Sequence, residues 1–167
     1  MNPQIRDERR GDEGAIHSLT ALAFRTMPYS SGTEQHIIDT LRAEGALTVS
    51  LVAELDAKLV GHIAFSPVTI AWADAEWYAL GPVSVHPDVQ RLGIGSALIR
   101  EGLARLKARG AAGCVLAGDT NYYGRFGFVR DSAFVLTDTP PEASMVLRFR
   151  GDMDGGVVRF HPAFSHA

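Results

Sequence analysis

The residues with the clearest chemical potential are Gln90, Arg91, Leu92, Gly93, Ile94, Gly95 and Ser96, a glycine-spaced run just ahead of an amphipathic segment. Glycines at that place let a loop turn several backbone N–H groups toward one point at a helix N-terminus. Free donors and the positive end of the helix dipole then act together on an anion, which we read as a pyrophosphate. A P-loop is excluded because no Gly-Lys-Ser/Thr closes the run, and the dinucleotide fingerprint lacks its third glycine, Leu98 standing there. A plain structural turn is the remaining alternative. Upstream, Gly81-Pro82 interrupts a strand read over residues 76–85. Proline cannot donate to a sheet ladder, so the strand is expected to part from a neighbour here. Backbone groups around Val83, Ser84 and Val85 then need partners, and an amide-bearing ligand would supply them. Among side chains, His62 and His86 can titrate near neutrality, His86 with a turn role before Pro87. Cys114 lies amid Gly113, Val115 and Leu116, the setting of a buried, inert thiol.

These groups need elements to hold them. After a strand within residues 3–8, Asp12 is a plausible N-cap for a helix to about residue 24, with Ile16, Leu19, Leu22 and Ala23 inward. Ser31 and Glu34 stand in capping-box spacing ahead of a second helix carrying Ile37, Ile38 and Leu41 and stopped at Gly45. Residues 47–55 and 59–72 read as a hairpin. In its second strand Ile63 and Phe65 are odd-numbered, whereas Val68, Ile70 and Trp72 are even, which predicts a bulge or bend at Ser66-Pro67. The helix after the glycine loop shows Leu98, Ile99, Gly102, Leu103 and Leu106 on one face, pairs Glu101 with Arg105, and closes at Gly110. A strand over 114–118 follows, then a loop and short helix to Gly127 with Asp119 as cap, and short strands over 134–136, 145–150 and 157–160. The pattern predicts an α/β (α+β) chain with a mostly antiparallel sheet and one strand–helix–strand crossover.

The 167 residues suit one domain, with a core over about 3–150 and a C-terminal extension, 151–167, that adds one strand at most. A composition of 46% hydrophobic and 21% charged residues is that of a soluble globular protein, and a net charge of −3 makes no electrostatic case for nucleic acid or an anionic membrane. No apolar run approaches a membrane span, and residues 1–14 are too charged for a signal peptide. One cysteine excludes an internal disulfide and a cysteine-based zinc cluster, and the six histidines show no metal-binding spacing. The expectation is a cytoplasmic protein without a metal.

The run QRLGIG after a VSVHP strand end resembles the R/Q-x-x-G-x-G/A signature of the GNAT superfamily of N-acetyltransferases, and YGRFGF resembles that superfamily's closing Y-x-x-x-G-F. With LVGHIAFSPV, LGPVSVHP and the order of elements, the chain looks like the YhbS-like branch over most of residues 3–150. The resemblance implies the GNAT fold, with a splayed parallel strand pair, and acetyl-CoA or a related acyl-CoA as donor. The N–H groups from Arg91 to Ser96 would hold the pyrophosphate, with the Arg91 side chain assisting, and Val83 and Val85 would pair with the pantetheine amides. Tyr123 matches the tyrosine that protonates the leaving thiolate, with Tyr122 as its neighbour and rival. The strand carboxylate of many members is missing over residues 79–84. Glu34, on the helix that borders the acceptor groove, and His62 are the candidates for a base. Tyr29, Trp72 and Trp77 are candidates to line the acceptor pocket. The acceptor would be a primary amine of a small molecule or peptide, and a homodimer is compatible with the family. The rival expectations are an acyl-CoA-binding module without turnover and a partner subunit of an acetylating complex.

Overall fold

The computed structural model describes residues 2–71, 73, 75–151 and 154–166. In chain order the elements are β1 (Gln4–Asp7), α1 (Glu13–Phe24), α2 (Glu34–Ala43), β2 (Val49–Leu55), β3 (Lys58–Ile70), β4 (Trp77–Val85), α3 (Ile94–Ala108), β5 (Gly113–Ala117), α4 (Thr120–Tyr123), β6 (Phe134–Leu136), β7 (Ser144–Arg148) and β8 (Gly156–Arg159). The main sheet runs β1-β2-β3-β4-β5-β7, antiparallel except for the β4–β5 pair. β8 lies antiparallel to the end of β3 and parallel to β6.

One face of the sheet is covered by α3. Leu51, Ile63, Phe65, Tyr78, Cys114 and Met145 meet Ile94, Leu98, Ile99, Leu103 and Leu106 there. The fit is close enough to require glycine at position 102, where a Cβ would stand 2.2 Å from the Phe65 ring. α3 ends in a Schellman motif: the Ala111 N–H donates to Leu106 oxygen (3.1 Å) and the Gly110 N–H to Lys107 oxygen (3.0 Å). The helix packs firmly at both ends, so its first turn is a fixed object. On the other face α1 and α2 cover Val52 and Ala64 through Ile16 and Ile38, and a further cluster of Ile70, Trp77, Val115, Phe134, Val146 and Val158 fills the β6–β8 end.

Three local expectations change. Asp12 precedes α1 without a side-chain cap; its carboxylate takes the Arg9 N–H (2.7 Å) and the Arg6 guanidinium (2.8 Å) instead. The capping box at Ser31 and Glu34 does not form: Thr33 is the flanking residue, Ser31 bonds to the Thr33 hydroxyl, and Glu34 accepts from the Ser30 hydroxyl (2.7 Å). A nearer partner wins the polar side chain in both cases. Nor is there a bulge at Ser66-Pro67, where Ser66, Pro67 and Val68 pair in unbroken register with Ala79, Tyr78 and Trp77. The register shift lies between Ile63 and Phe65, opposite Gly81-Pro82 of β4, whose peptide bond is cis. β3 has a further irregularity at Val60, against Ala53 and Glu54 of β2; beyond it the strand keeps its phase, and what changes along it is which face is covered. Odd residues sit under α3 early in the strand, and even residues sit under the β6–β8 cluster later. Trp72 and Asp74 lie outside the described residues.

Candidate active site

β4 and β5 pair only over Trp77–Gly113, Tyr78–Cys114 and Ala79–Val115. Past that point β4 continues to Val85 beside β3 alone, so its other edge is open. The His86 N–H donates to Val60 oxygen (2.8 Å), which sets the alternation of the antiparallel ladder. By that alternation Ser84 bonds back to His62, while Val83 and Val85 direct their N–H and C=O groups to the open edge. Ser84 is therefore turned away: its backbone serves β3 and its buried hydroxyl donates to Thr20 (3.3 Å). Gln90 contributes differently from expectation as well, since its side-chain amide caps the Val85 carbonyl (3.1 Å). That leaves the Val85 N–H and both groups of Val83 for a ligand.

The open edge leads to the first turn of α3. Arg91 (φ 67°) and Gly93 (φ 85°) adopt left-handed backbone, which brings the chain sharply into the helix. The first intrahelical bond is donated by Ala97 to Gly93 oxygen (3.0 Å). The N–H groups of Ile94, Gly95 and Ser96 precede it and have no acceptor among the described residues. Arg91, Leu92 and Gly93 are exposed around them, and Ile94 anchors the turn in the core. Three free donors on a rigid helix end form an anion site.

The two adjacent tyrosines of α4 point to different parts of this channel. Asp119 caps α4 through the Asn121 N–H (2.9 Å), as the sequence predicts. A Cβ built on Gly95 would stand 3.5 Å from the Tyr122 hydroxyl, so Tyr122 faces the anion site. The Tyr123 ring lies against Gly118, where a Cβ would come within 2.6 Å, and packs with Phe126 and Phe128. It stands beyond the C-terminal end of β5, where the strands have parted. Burial, then the neighbouring Tyr122, Tyr29 and Cys114, push its ionisation upward, so the phenol is protonated at neutral pH.

Glu34 is half-buried at the start of α2, held by Ser30 beside Tyr29, which is exposed and within electrostatic reach of Tyr123. His62 is fully enclosed on the α1–α2 face of the sheet. Its Nε2 meets the Ser50 hydroxyl (2.8 Å), which donates to Glu8 (2.7 Å), itself paired with Arg42 (2.8 and 2.9 Å). Burial lowers the His62 pKa to about 4, so it reaches neither solvent nor the open edge as a base. Trp77 is also a core residue, buried against Phe134. Cys114 is buried and its ionisation is pushed up by that burial, as its sequence setting suggests. His86 caps the turn after β4 through the Asp88 N–H (3.1 Å). The fold brings together His17, His36 and Asp39, with ligand atoms within 4.8 Å of one another, a cluster that linear spacing did not disclose. Within it His17 Nδ1 lies 2.6 Å from the Asp39 carboxylate, and the His17 and His36 rings meet edge to face at 5.3 Å. No helix among the described residues is long and apolar enough to cross a membrane.

Known proteins share this arrangement. Residues 15–128 match the acetyltransferase (GNAT) family. The chain is 37% identical over 168 residues to the uncharacterized N-acetyltransferase YhbS of Escherichia coli (strain K12), covering 96% of this chain and 98% of that one. The crystal structure of that E. coli YhbS with CoA superposes with a TM-score of 0.88 at 30% identity, over 99% of this chain and 93% of that one. A GNAT family acetyltransferase from Brucella melitensis, solved in complex with acetyl-CoA, is 50% identical with a TM-score of 0.87 over 98% of each chain. With the glycine loop, the parted strands and the tyrosine helix in one channel, this chain belongs to the GNAT family of acetyltransferases.

Proposed function

We propose that the protein transfers an acetyl group from acetyl-CoA directly to a primary amine of a small molecule or peptide. The observation that carries this is the single channel from the free N–H groups of Ile94, Gly95 and Ser96, along the open edge at Val85 and Val83, to Tyr123. A molecule with a pyrophosphate, a chain of amides and a thioester at its far end fits that order of groups, and the complexes of the Brucella and E. coli relatives support it.

When bound, acetyl-CoA supplies the activated acyl group. The α3 N-terminus, with Arg91 beside it, holds the diphosphate, and the free groups of Val83 and Val85 pair with the amides and align the thioester. The Val83 N–H, the open-edge donor farther from the diphosphate, polarises the thioester carbonyl as its oxygen gains charge. The Tyr123 phenol, protonated at neutral pH, gives its proton to the departing sulfur. An alkylamine has a pKa of about 10.4 and arrives charged, so a proton must leave it before attack. Glu34, half-buried at the start of α2 and oriented by Ser30, receives that proton directly or through water. In this reading the protein works in the cytoplasm, without nucleic acid or metal.

A thiol-release assay with acetyl-CoA over a panel of amines, amino acids and peptides tests the proposal. Amine-dependent release is expected, with Glu34→Gln lowering it by about 100-fold or more at saturating amine. Tight CoA binding without release for any amine would instead make the protein an acyl-CoA-binding module, and no CoA binding would overturn the reading entirely.

A further inference from the structure

Coenzyme A carries a third phosphate, on the 3′ position of its ribose, and two arginines stand where that end of the molecule leaves the channel. With the thiol arm between the parted ends of β4 and β5, as proposed above, the nucleoside would extend to the other side of the diphosphate, over the first turns of α3 where Tyr122 closes on Gly95. Tyr122 and Phe126 pack edge to face there, with centroids 5.5 Å apart. The Arg125 guanidinium lies 4.6 Å from the Tyr122 centroid and donates through Nε to the Tyr122 carbonyl (3.0 Å). The Arg100 guanidinium lies 4.9 Å from the Phe126 centroid.

Both arginines are exposed, and neither is paired with a carboxylate among the described residues. Arg6, Arg42 and Arg105, by contrast, are each neutralised by acidic side chains. Aromatic faces orient a guanidinium while leaving its charge and most of its N–H donors available. Arg100 follows Ser96 by four residues, so it rises on the same side of α3 as a donor of the anion site, about 6 Å further along the axis. Helical side chains lean toward the N-terminus, which brings the Arg100 head back toward that site.

We propose that Arg100 and Arg125, stacked on the Tyr122–Phe126 pair, form a subsite for the ribose 3′-phosphate and so distinguish coenzyme A from its 3′-dephospho form. A phosphate monoester carries about −1.5 to −2 charges at neutral pH and accepts paired N–H bonds from planar guanidinium groups. The proposal rests on acetyl-CoA as the donor, and its test needs no acceptor. Calorimetry with CoA and 3′-dephospho-CoA is compared for the natural protein, Arg100→Gln, Arg125→Gln and the double variant. The natural protein is expected to prefer CoA by about tenfold or more, each single variant to lose part of that ratio, and the double variant to bind both ligands within about twofold. Dephospho-CoA affinity should change far less than CoA affinity in every variant, and its retained binding also establishes that the variants fold. Equal binding of the two ligands by the natural protein, or variants that weaken both alike, overturns the subsite. Binding of neither ligand overturns the donor reading as well.

Discussion

Replacing His62 by glutamine isolates a buried titratable group whose departure from ordinary behaviour falls in the acid range. Ser50 donates to Glu8, so its oxygen accepts from His62 Nε2–H, which assigns the tautomer and leaves Nδ1 buried without a partner. Burial keeps the ring neutral and lowers its pKa to about 4; Glu8 pulls it up and Arg42 pulls it down, both by less. In the unfolded chain the ring titrates near 6.5. Between those values the unfolded state binds the proton and the folded state does not, so stability falls as pH falls. The contribution is complete above about pH 6.5 and exhausted below about pH 4. Linkage gives a loss of roughly 1.4 kcal/mol at pH 5.5 and roughly 2 kcal/mol at pH 5. Burial raises the Glu8 pKa, and its hydrogen bonds with Arg42 and Ser50 more than reverse this, so the folded state holds it below its ordinary value. Urea unfolding at pH 7.5, 6.5, 5.5 and 5.0 reads the effect as a midpoint falling by about 1 M over the series, given a slope of about 1–3 kcal/mol per molar. His62→Gln keeps a donor for Ser50 without a titrating ring and should flatten that decline. An equal decline in the variant, or a natural protein whose stability is level from pH 7.5 to 5.5, would refute the argument.

The other expectations concern the channel and the helix that frames it. Tyr123→Phe should lower kcat by about 100-fold or more while leaving KM for acetyl-CoA within a few-fold, whereas Tyr122→Phe, at the diphosphate end, should leave kcat nearly intact; steady-state kinetics of both variants separates the two hydroxyls. Gly102→Ala sets a methyl group 2.2 Å from the Phe65 ring and should cost about 1–3 kcal/mol in urea unfolding, since α3 must move off the sheet. The same variant should weaken CoA binding, because the displaced helix carries the anion site on its first turn.

Much of the channel could be read from local pattern. The spacing of Leu98, Ile99, Gly102, Leu103 and Leu106 marks the buried face of α3. The glycines at 93 and 95 mark its entry, and Gly81-Pro82 marks the place where β4 changes its pairing. Each of these is a property of a short segment: periodicity, permitted backbone angles, a missing donor. What failed had good spacing along the chain but was settled by which partner stood nearest in space. Asp12 and Glu34 have good capping spacing, yet Arg6 and Ser30 take their carboxylates. The apparent phase change in β3 reflects coverage on both faces, by α3 on one and by the β6–β8 cluster on the other, which period-two reasoning about a single strand cannot contain.

The amino-acid order by itself determined that a glycine-entered helix end follows a strand with a broken edge and precedes a tyrosine-bearing turn. It did so because glycine, proline and a 3.6-residue period act within a few residues of where they stand. Only the tertiary structure decided which of two adjacent tyrosines faces Gly95 on the first turn of α3 and which lies against Gly118 at the end of β5. The same is true of His62, an exposed base or an enclosed neutral ring depending on what covers β3. These outcomes follow from packing between segments up to a hundred residues apart, where burial and the nearest available partner set both direction and charge.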